Sequence, residues 1–268
     1  ETDHIDFYLV HSLGLDSWRR VRDLGVREFL DKAKASGKIK YACFSFHDNY
    51  DAFVEIIDSY DWDMCQIQYN YLDVENQATT RGLDYAYSKN IPVVIMEGLR
   101  GGKLATPPAE VREIFASHTE QRSPVEWAFR FLLNHPGVCT VLSGVSTMEQ
   151  LEDNLAIFDR NEAGCMTPEE DDLIVRAREA FESRTKVGCT GCEYCVPCPA
   201  GVEIPRIFKT WNNLYMFDEK LEGNPRYARL AADNKTAAAC LECGQCEGVC
   251  PQNIPIIEML KKADAEMK

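Results

Sequence analysis

Twelve cysteines occur in the 268-residue chain, and eight of them fall in two short runs near its C-terminal end. The first run reads Cys189-Thr-Gly-Cys192-Glu-Tyr-Cys195-Val-Pro-Cys198-Pro199. The second reads Cys240-Leu-Glu-Cys243-Gly-Gln-Cys246-Glu-Gly-Val-Cys250-Pro251. No other feature limits the fold as strongly. A disulfide framework spreads its cysteines through a small secreted fold, whereas clustered thiols at two-residue intervals suit a metal centre in a reducing compartment. Paired four-cysteine zinc sites are the simpler alternative. Zinc, however, usually joins two separated C-x2-C knuckles, not three evenly spaced cysteines followed by Cys-Pro.

The second run has the C-x2-C-x2-C-x3-C-P spacing of bacterial-type ferredoxins. Three thiolates at two-residue intervals converge on three corners of one cubane, and the fourth, followed by a proline that turns the chain away, faces a different cluster. Two runs therefore predict two [4Fe-4S] clusters with exchanged fourth ligands. Cys189, Cys192, Cys195 and Cys250 are expected to hold one; Cys240, Cys243, Cys246 and Cys198 are expected to hold the other. The first run departs from the pattern by having two residues, not three, before its last cysteine. Between the runs, Ile204, Ile207, Phe208, Trp211 and Leu214 recur at helical spacing, and Ile254–Met267 reads as a second helix. Residues 187–268 are thus expected to form a helix-rich ferredoxin-like domain. The scattered Cys43, Cys65, Cys139 and Cys165 are expected to be small buried residues.

The first ~165 residues alternate between short apolar runs and amphipathic stretches. Candidate strands are Asp6–His11, Tyr41–Ser45, Met64–Tyr69, Ile91–Met96 and Cys139–Ser143. Their apolar density without polar alternation fits strands buried on both faces of a parallel sheet. Helices are clearest at Val26–Ser36, closed by Gly37, and at Pro124–His135, opened by Ser123-Pro124 as cap and first helical residue. Repeated βα units of this kind mean a doubly wound sheet or a (β/α)8 barrel. A capping box at Thr167-Pro168-Glu169-Glu170 starts a helix running to about Ser183, so residues 166–186 are read as a connecting helix. Asp58, Asp61 and Asp63 are expected to form a solvated turn. The net charge of −14 argues against nucleic acid or an anionic membrane surface as partner. No stretch approaches the ~18 apolar residues of a membrane span, and nothing marks secretion, so a cytoplasmic location is expected.

Several segments in this order resemble the aldo/keto reductase family, in its branch with a C-terminal ferredoxin-like domain. They are Asp6–Ser12 (DFYLVHS), Gly37–Asn49 (GKIKYACFSFHDN), Cys65–Asp73 (CQIQYNYLD), Met96–Leu104 (MEGLRGGKL), Pro124–His135 (PVEWAFRFLLNH), Gly144–Asn154 (GVSTMEQLEDN) and the first cysteine run. The resemblance implies a (β/α)8 TIM-barrel type α/β fold that moves a hydride between a nicotinamide cofactor and a small-molecule carbonyl. Asp6–His11 would be its fourth strand, so residues 1–165 would hold strands four to eight only. At about 31 residues per βα unit, five units need about 155. The family's proton-donating Tyr, with its Asp and Lys, comes from the first three units.

By the same resemblance His11 would orient or polarise the carbonyl. Ser45 and Gln66 would hold the carboxamide of NAD(P)H, with Met96 where many members stack an aromatic ring on the nicotinamide. Gly144, Val145, Ser146, Gln150 and Asn154 would line the adenosine-phosphate loop. Many NADPH-preferring members have Arg at the position of Gln150, and Lys103 or Arg100 would have to substitute. The simpler account of that loop is a helix start capped by Ser146 or Thr147.

Three functional readings follow. One is an iron–sulfur oxidoreductase of the aldo/keto reductase type. Another is an electron-transfer or redox-partner subunit whose barrel is non-catalytic. In the third the clusters are purely structural. A hydride carries two electrons and each cubane passes one, so a flavin in the barrel, a flavin on a redox partner protein, or clusters off the hydride path are the alternatives.

Overall fold

The computed structural model describes residues 2–268. It divides into two compact units, residues up to 107 with 113–176, and residues 108–112 with 177–268. The first unit is built on five strands: β1 (Ile5–Leu13), β2 (Ile39–Phe46), β3 (Met64–Gln68), β4 (Val93–Met96) and β5 (Val138–Val141). They pair in parallel, in the order β1-β2-β3-β4-β5. Strictly sequential order, without the reversal that marks a doubly wound sheet, is the order of a barrel wall. Five strands do not close the ring, so β1 and β5 are edges among the described residues.

Helices α1 (Leu15–Asp23), α2 (Val26–Ala35), α3 (Tyr50–Ile57), α4 (Thr79–Ser88), α5 (Ala109–Ala116), α6 (Pro124–Leu133) and α7 (Met148–Asp159) connect or follow the strands. Their ends carry local chemistry. After α2, Gly37 adopts φ 71°, which lets its N–H reach Lys34 O (3.0 Å) and the next N–H reach Ala33 O (3.0 Å), closing a Schellman motif. At α6 the Ser123 hydroxyl accepts the Glu126 N–H at 3.1 Å, and Pro124 fills the first turn, where no donor is needed.

Alternation along the strands sorts the two faces of the sheet. Phe44, Phe46, Cys65, Ile67, Val93 and Ile95 point outward onto the helices, where they meet Trp18, Leu30, Phe53, Trp62 and Phe129 in the main core. Truncating a side chain such as Phe44 to Ala would cost about 3–5 kcal/mol there. The opposite parity, Leu9, Cys43, Met64 and Val94, forms a small separate cluster on the inner face. Below it Phe7 stacks on Tyr41 at 4.9 Å, with the two rings 53% and 44% exposed. An inner face this open is what an unclosed barrel leaves. Cys139 departs from expectation: it is exposed, because β5 is an edge, whereas Cys43 and Cys65 are buried and Cys165 is half-buried. In the acidic turn Asp58 and Asp61 are exposed as expected, with Asp58 pairing with Lys89 (2.6 Å), while Asp63 is half-buried, accepting from Ala42 N (2.8 Å) and pairing with Lys34 (2.7 Å).

Helix α8 (Pro168–Ser183) begins in the first unit with a complete capping box: Thr167 Oγ1 accepts Glu170 N at 3.3 Å, and Glu170 Oε2 accepts Thr167 N at 2.9 Å. The same carboxylate, 2% exposed, takes Arg130 (2.7 Å) and Arg122 (2.8 Å). Burial alone would push the Glu170 carboxyl up. The Thr167 N–H and the two guanidinium groups outweigh it and leave the carboxyl below its ordinary value.

The second unit contains α9 (Ile204–Met216), α10 (Pro225–Ala232), the single turn α11 (Gln245–Gly248) and α12 (Ile256–Met267). Ile204, Ile207, Phe208, Trp211 and Leu214 are all buried, on the face that the spacing predicts. Helix α9 packs on α12, and polar tips are partnered: Trp211 Nε1 and Tyr215 OH both donate to Glu266 Oε2, at 2.6 and 2.9 Å.

The unit is an internal repeat longer than the two cysteine runs. Each run ends in a Cys-Pro turn, closed by Gly201 N to Cys198 O (2.9 Å) and by Asn253 N to Cys250 O (3.1 Å). A long helix starts at the same offset after each, at Ile204 and Ile256. The extra residue of the second run is taken up in α11.

Candidate cluster and strand-end sites

The eight run cysteines are arranged around two cavities. One, of about 140 Å³, is lined by Cys240, Cys243 and Cys246 of the second run and Cys198 of the first. The other, of about 20 Å³, is lined by Cys189, Cys192 and Cys195 of the first run and Cys250 of the second. Cys195 and Ile204 line both, so they stand between the two spaces. Apart from the shared Cys195, the larger cavity gathers the first three thiols of the second run with the last cysteine of the first, and the smaller gathers the first three thiols of the first run with the last cysteine of the second.

Backbone conformation explains the convergence. In the first run Gly191 (φ 72°) and Glu193 (φ 64°) flank Cys192; in the second, Glu242 (φ 52°) and Gly244 (φ 74°) flank Cys243. Left-handed residues on both sides of the middle cysteine curl the chain around it, in turns of the kind that build anion-binding concavities. The glycines occupy two of the four places without steric cost. The glutamates occupy the other two at roughly 1–2 kcal/mol each. Glu242 N donates to Cys240 Sγ at 3.4 Å, and Gly191 N donates to Cys189 at the equivalent place in the first run.

Burial pushes the Cys195 thiol up to about 11 and also raises Cys189 and Cys246. A metal therefore has to displace protons to bind here. No three Cys, His, Asp or Glu side chains among the described residues converge closely enough to hold a single ion. A tetrahedral zinc with Zn–S of about 2.3 Å would need its sulfurs about 3.8 Å apart. Four thiols lining one space are the donor set that a [4Fe-4S] cluster, which brings its own iron and sulfide, requires.

The second candidate site lies on the inner face of the sheet. His11, Ser45, Gln66 and Met96 share the parity of the inner cluster, each two residues beyond Leu9, Cys43, Met64 and Val94. Ser45 Oγ accepts the Ser12 N–H at 2.7 Å and lies 3.3 Å from His11 Nδ1. Ser45 is buried, while His11 is exposed. Gln66 Nε2 donates to Met96 Sδ at 3.4 Å. Beyond β5, Asn154 Nδ2 donates to Ser143 Oγ at 2.8 Å, and Thr147 caps α7 by accepting Gln150 N at 3.3 Å. Gln150 Oε1 in turn accepts Ser146 N at 2.9 Å, with Gly144 exposed and Val145 half-buried between them. Arg100 is held by Asp73 at 3.3 Å.

A family model described as the aldo/keto reductase family matches residues 1–163. The chain belongs to the aldo/keto reductase family. A 4Fe-4S dicluster domain model matches residues 188–254 of this aldo/keto reductase, the stretch that holds both cysteine runs. Among solved structures, the holo form of an aldo-keto reductase from Bacillus halodurans is similar over 66% of this chain and 62% of its own, at 22% identity and a TM-score of 0.55. An aldo-keto reductase from Klebsiella pneumoniae in complex with NADPH is similar over 65% of this chain and 59% of its own, at 19% identity and a TM-score of 0.50. The chain spans about three-fifths of the length of these structures, in keeping with its five strands, and at this identity they share its fold. No curated protein matches it.

Proposed function

We propose that this aldo/keto reductase is an iron–sulfur oxidoreductase with nicotinamide-linked carbonyl/alcohol redox chemistry and two electron-transfer clusters. The observation that carries the cluster half is the exchange of thiols around the two cavities. Cys189, Cys192, Cys195 and Cys250 would hold one [4Fe-4S] cluster, and Cys240, Cys243, Cys246 and Cys198 the other. Domain limits of 1–165, 166–186 and 187–268 go with this reading, as does a reducing, cytoplasmic compartment in which such thiols persist. No helix among the described residues is long and apolar enough to cross a membrane.

In the barrel half, Ser45 acts first as a positioning group. With its oxygen accepting from Ser12 N, its proton is free to go to His11 Nδ1, which leaves the ring proton on Nε2. Nε2–H can then donate to a carbonyl oxygen on the open inner face and polarise it. Bound NAD(P)H would supply the hydride. Gln66 and Met96 would flank its nicotinamide, and Gly144, Val145, Ser146, Gln150 and Asn154 its adenosine end.

A second reading, an electron-transfer subunit with a non-catalytic barrel, is favoured by a specific observation. Gln66 donates to Met96, Gln150 accepts from Ser146 N, and Asn154 donates to Ser143, so these groups are already engaged with one another. Anaerobic purification with iron, sulfide and NADPH-binding assays separates the readings. About eight irons with dinucleotide binding support the first. Eight irons without any dinucleotide binding leave the second.

A further inference from the structure

The repeat of the second unit extends beyond its Cys-Pro turns. The fifth residue of the helix after each run, Phe208 in α9 and Leu260 in α12, lines the cavity of that run's first three cysteines. The ninth, Asn212 or Asp264, lies on the same side of its helix one turn further on. Both ninth residues reach back to the chain just before the run. Asn212 Oδ1 accepts the N–H groups of Lys186 (2.9 Å) and Val187 (3.1 Å), and its Nδ2 donates to Val187 O (2.8 Å). One amide thus holds both backbone groups of the buried Val187, two residues before Cys189. Asp264 acts at one remove. It accepts the Tyr227 hydroxyl at 2.5 Å, and that hydroxyl accepts the Ala237 N–H beside the buried Thr236. Lys186 and Ala237 stand at the same place, three residues before Cys189 and Cys240. In the second half a backbone bond from Glu203 N to Lys235 O (3.1 Å) shares the load.

We propose that Asn212 and the Tyr227–Asp264 pair are positioning residues for the two clusters, each closing the cysteine loop of its own run and so holding that run's first three thiols for one cluster only. The proposal rests on the cluster reading above. The Cys-Pro turn fixes the far end of each run, and the clamp fixes the near end to the helix that the turn leads into. Asparagine and aspartate are poor helix formers, yet both stand inside their helices, with their side chains engaged in this contact. A bound cluster is lost through local opening of the loop that holds it, and the free energy of that opening is set by the contacts it breaks. Removing one clamp therefore loosens one set of thiols and spares the other.

The test is the rate at which the full chain, loaded with iron and sulfide, releases iron to excess EDTA under anaerobic conditions, followed by loss of cluster absorbance. Asn212→Ala should speed the release of about four of the about eight irons by about tenfold, the order that one or two net hydrogen bonds carry, and leave the other four at the wild-type rate. Asn212→Asp, which keeps the accepting oxygen, should stay near wild type. Tyr227→Phe should speed the other four by about threefold, because Glu203 still holds Lys235. A chain with Cys192→Ala and Cys250→Ala identifies the site, since it keeps only that of Cys198, Cys240, Cys243 and Cys246 whole. There Asn212→Ala should change nothing and Tyr227→Phe should act as before. Equal acceleration of all eight irons overturns the proposal, because the clamps would then only stabilise the unit. So does acceleration in neither variant, or release from Asn212→Asp as fast as from Asn212→Ala. If Asn212→Ala does not fold, Tyr227→Phe, which removes a single hydroxyl, carries the same decision. Failure of the cluster reading is separate, because it appears as missing iron in the wild type.

Discussion

The exchange of fourth ligands makes a prediction that pairs of substitutions can decide. Cys250 follows the second run in sequence but lines the cavity of the first. Replacing Cys192 and Cys250 together with alanine therefore strips two ligands from one site and leaves the other whole, so about four of about eight irons should remain. Replacing Cys243 and Cys250 together takes one ligand from each site and should leave no intact [4Fe-4S] signal. The assay is iron and sulfide content with low-temperature EPR after dithionite, under anaerobic conditions. If each cluster instead took all four ligands from its own run, the two outcomes would invert, and that inversion would refute the reasoning.

Further outcomes are expected. Glu170→Gln should cost about 3–5 kcal/mol at pH 7 by leaving Arg122 and Arg130 facing a neutral group. Because the folded carboxyl lies below its ordinary value, its contribution is complete above about pH 4.3 and is lost as pH falls through the folded value. The gap between variant and wild type in urea should therefore close in acid; a gap that persists there sinks the assignment. Ser45→Ala should cost about 1–3 kcal/mol by leaving the Ser12 N–H unpaired, and should shift the His11 ring tautomer in nitrogen NMR. Residues 1–268 alone are expected to show no carbonyl reductase turnover, whereas the chain preceded by three further βα units should bind a nicotinamide cofactor. Turnover by residues 1–268 that His11→Ala abolishes would place the proton donor within them.

Much of this architecture is readable from local chemistry. The Schellman glycine at Gly37, the Ser123 cap and the Thr167–Glu170 box are contacts between residues one turn apart, so sequence carries both partners together. Strand centres were equally plain, while their ends were not. Ile91 is lost from β4 because its N–H closes the end of α4 on Ala86, a choice made by the helix. Exposure of Cys139 depends on β5 having no further neighbour, which no residue near Cys139 encodes. Gly191 and Gly244 advertise left-handed turns in the cysteine runs, but Glu193 and Glu242 do not, since glutamate has no preference for that conformation. The repeat that joins each Cys-Pro turn to a helix is hidden because IPRIFKTW and IIEMLKKA share spacing, not residues. The contact of Ser45 with His11 needs the register of two parallel strands, and alternation alone cannot supply it.

On the proposed function, the two halves of the chain would deal in different numbers of electrons. A nicotinamide gives two electrons at once, and a cubane takes one. The pairing of cavities bears on this mismatch. Cys195 and Ile204 line both spaces, so the two sites are immediate neighbours. Together they have room for two electrons, the content of one hydride, which a single cluster does not. On that reading, duplication of the cysteine run and its helix would supply two one-electron sites, and a flavin or another carrier able to split two electrons into single ones would still have to stand between them and a hydride.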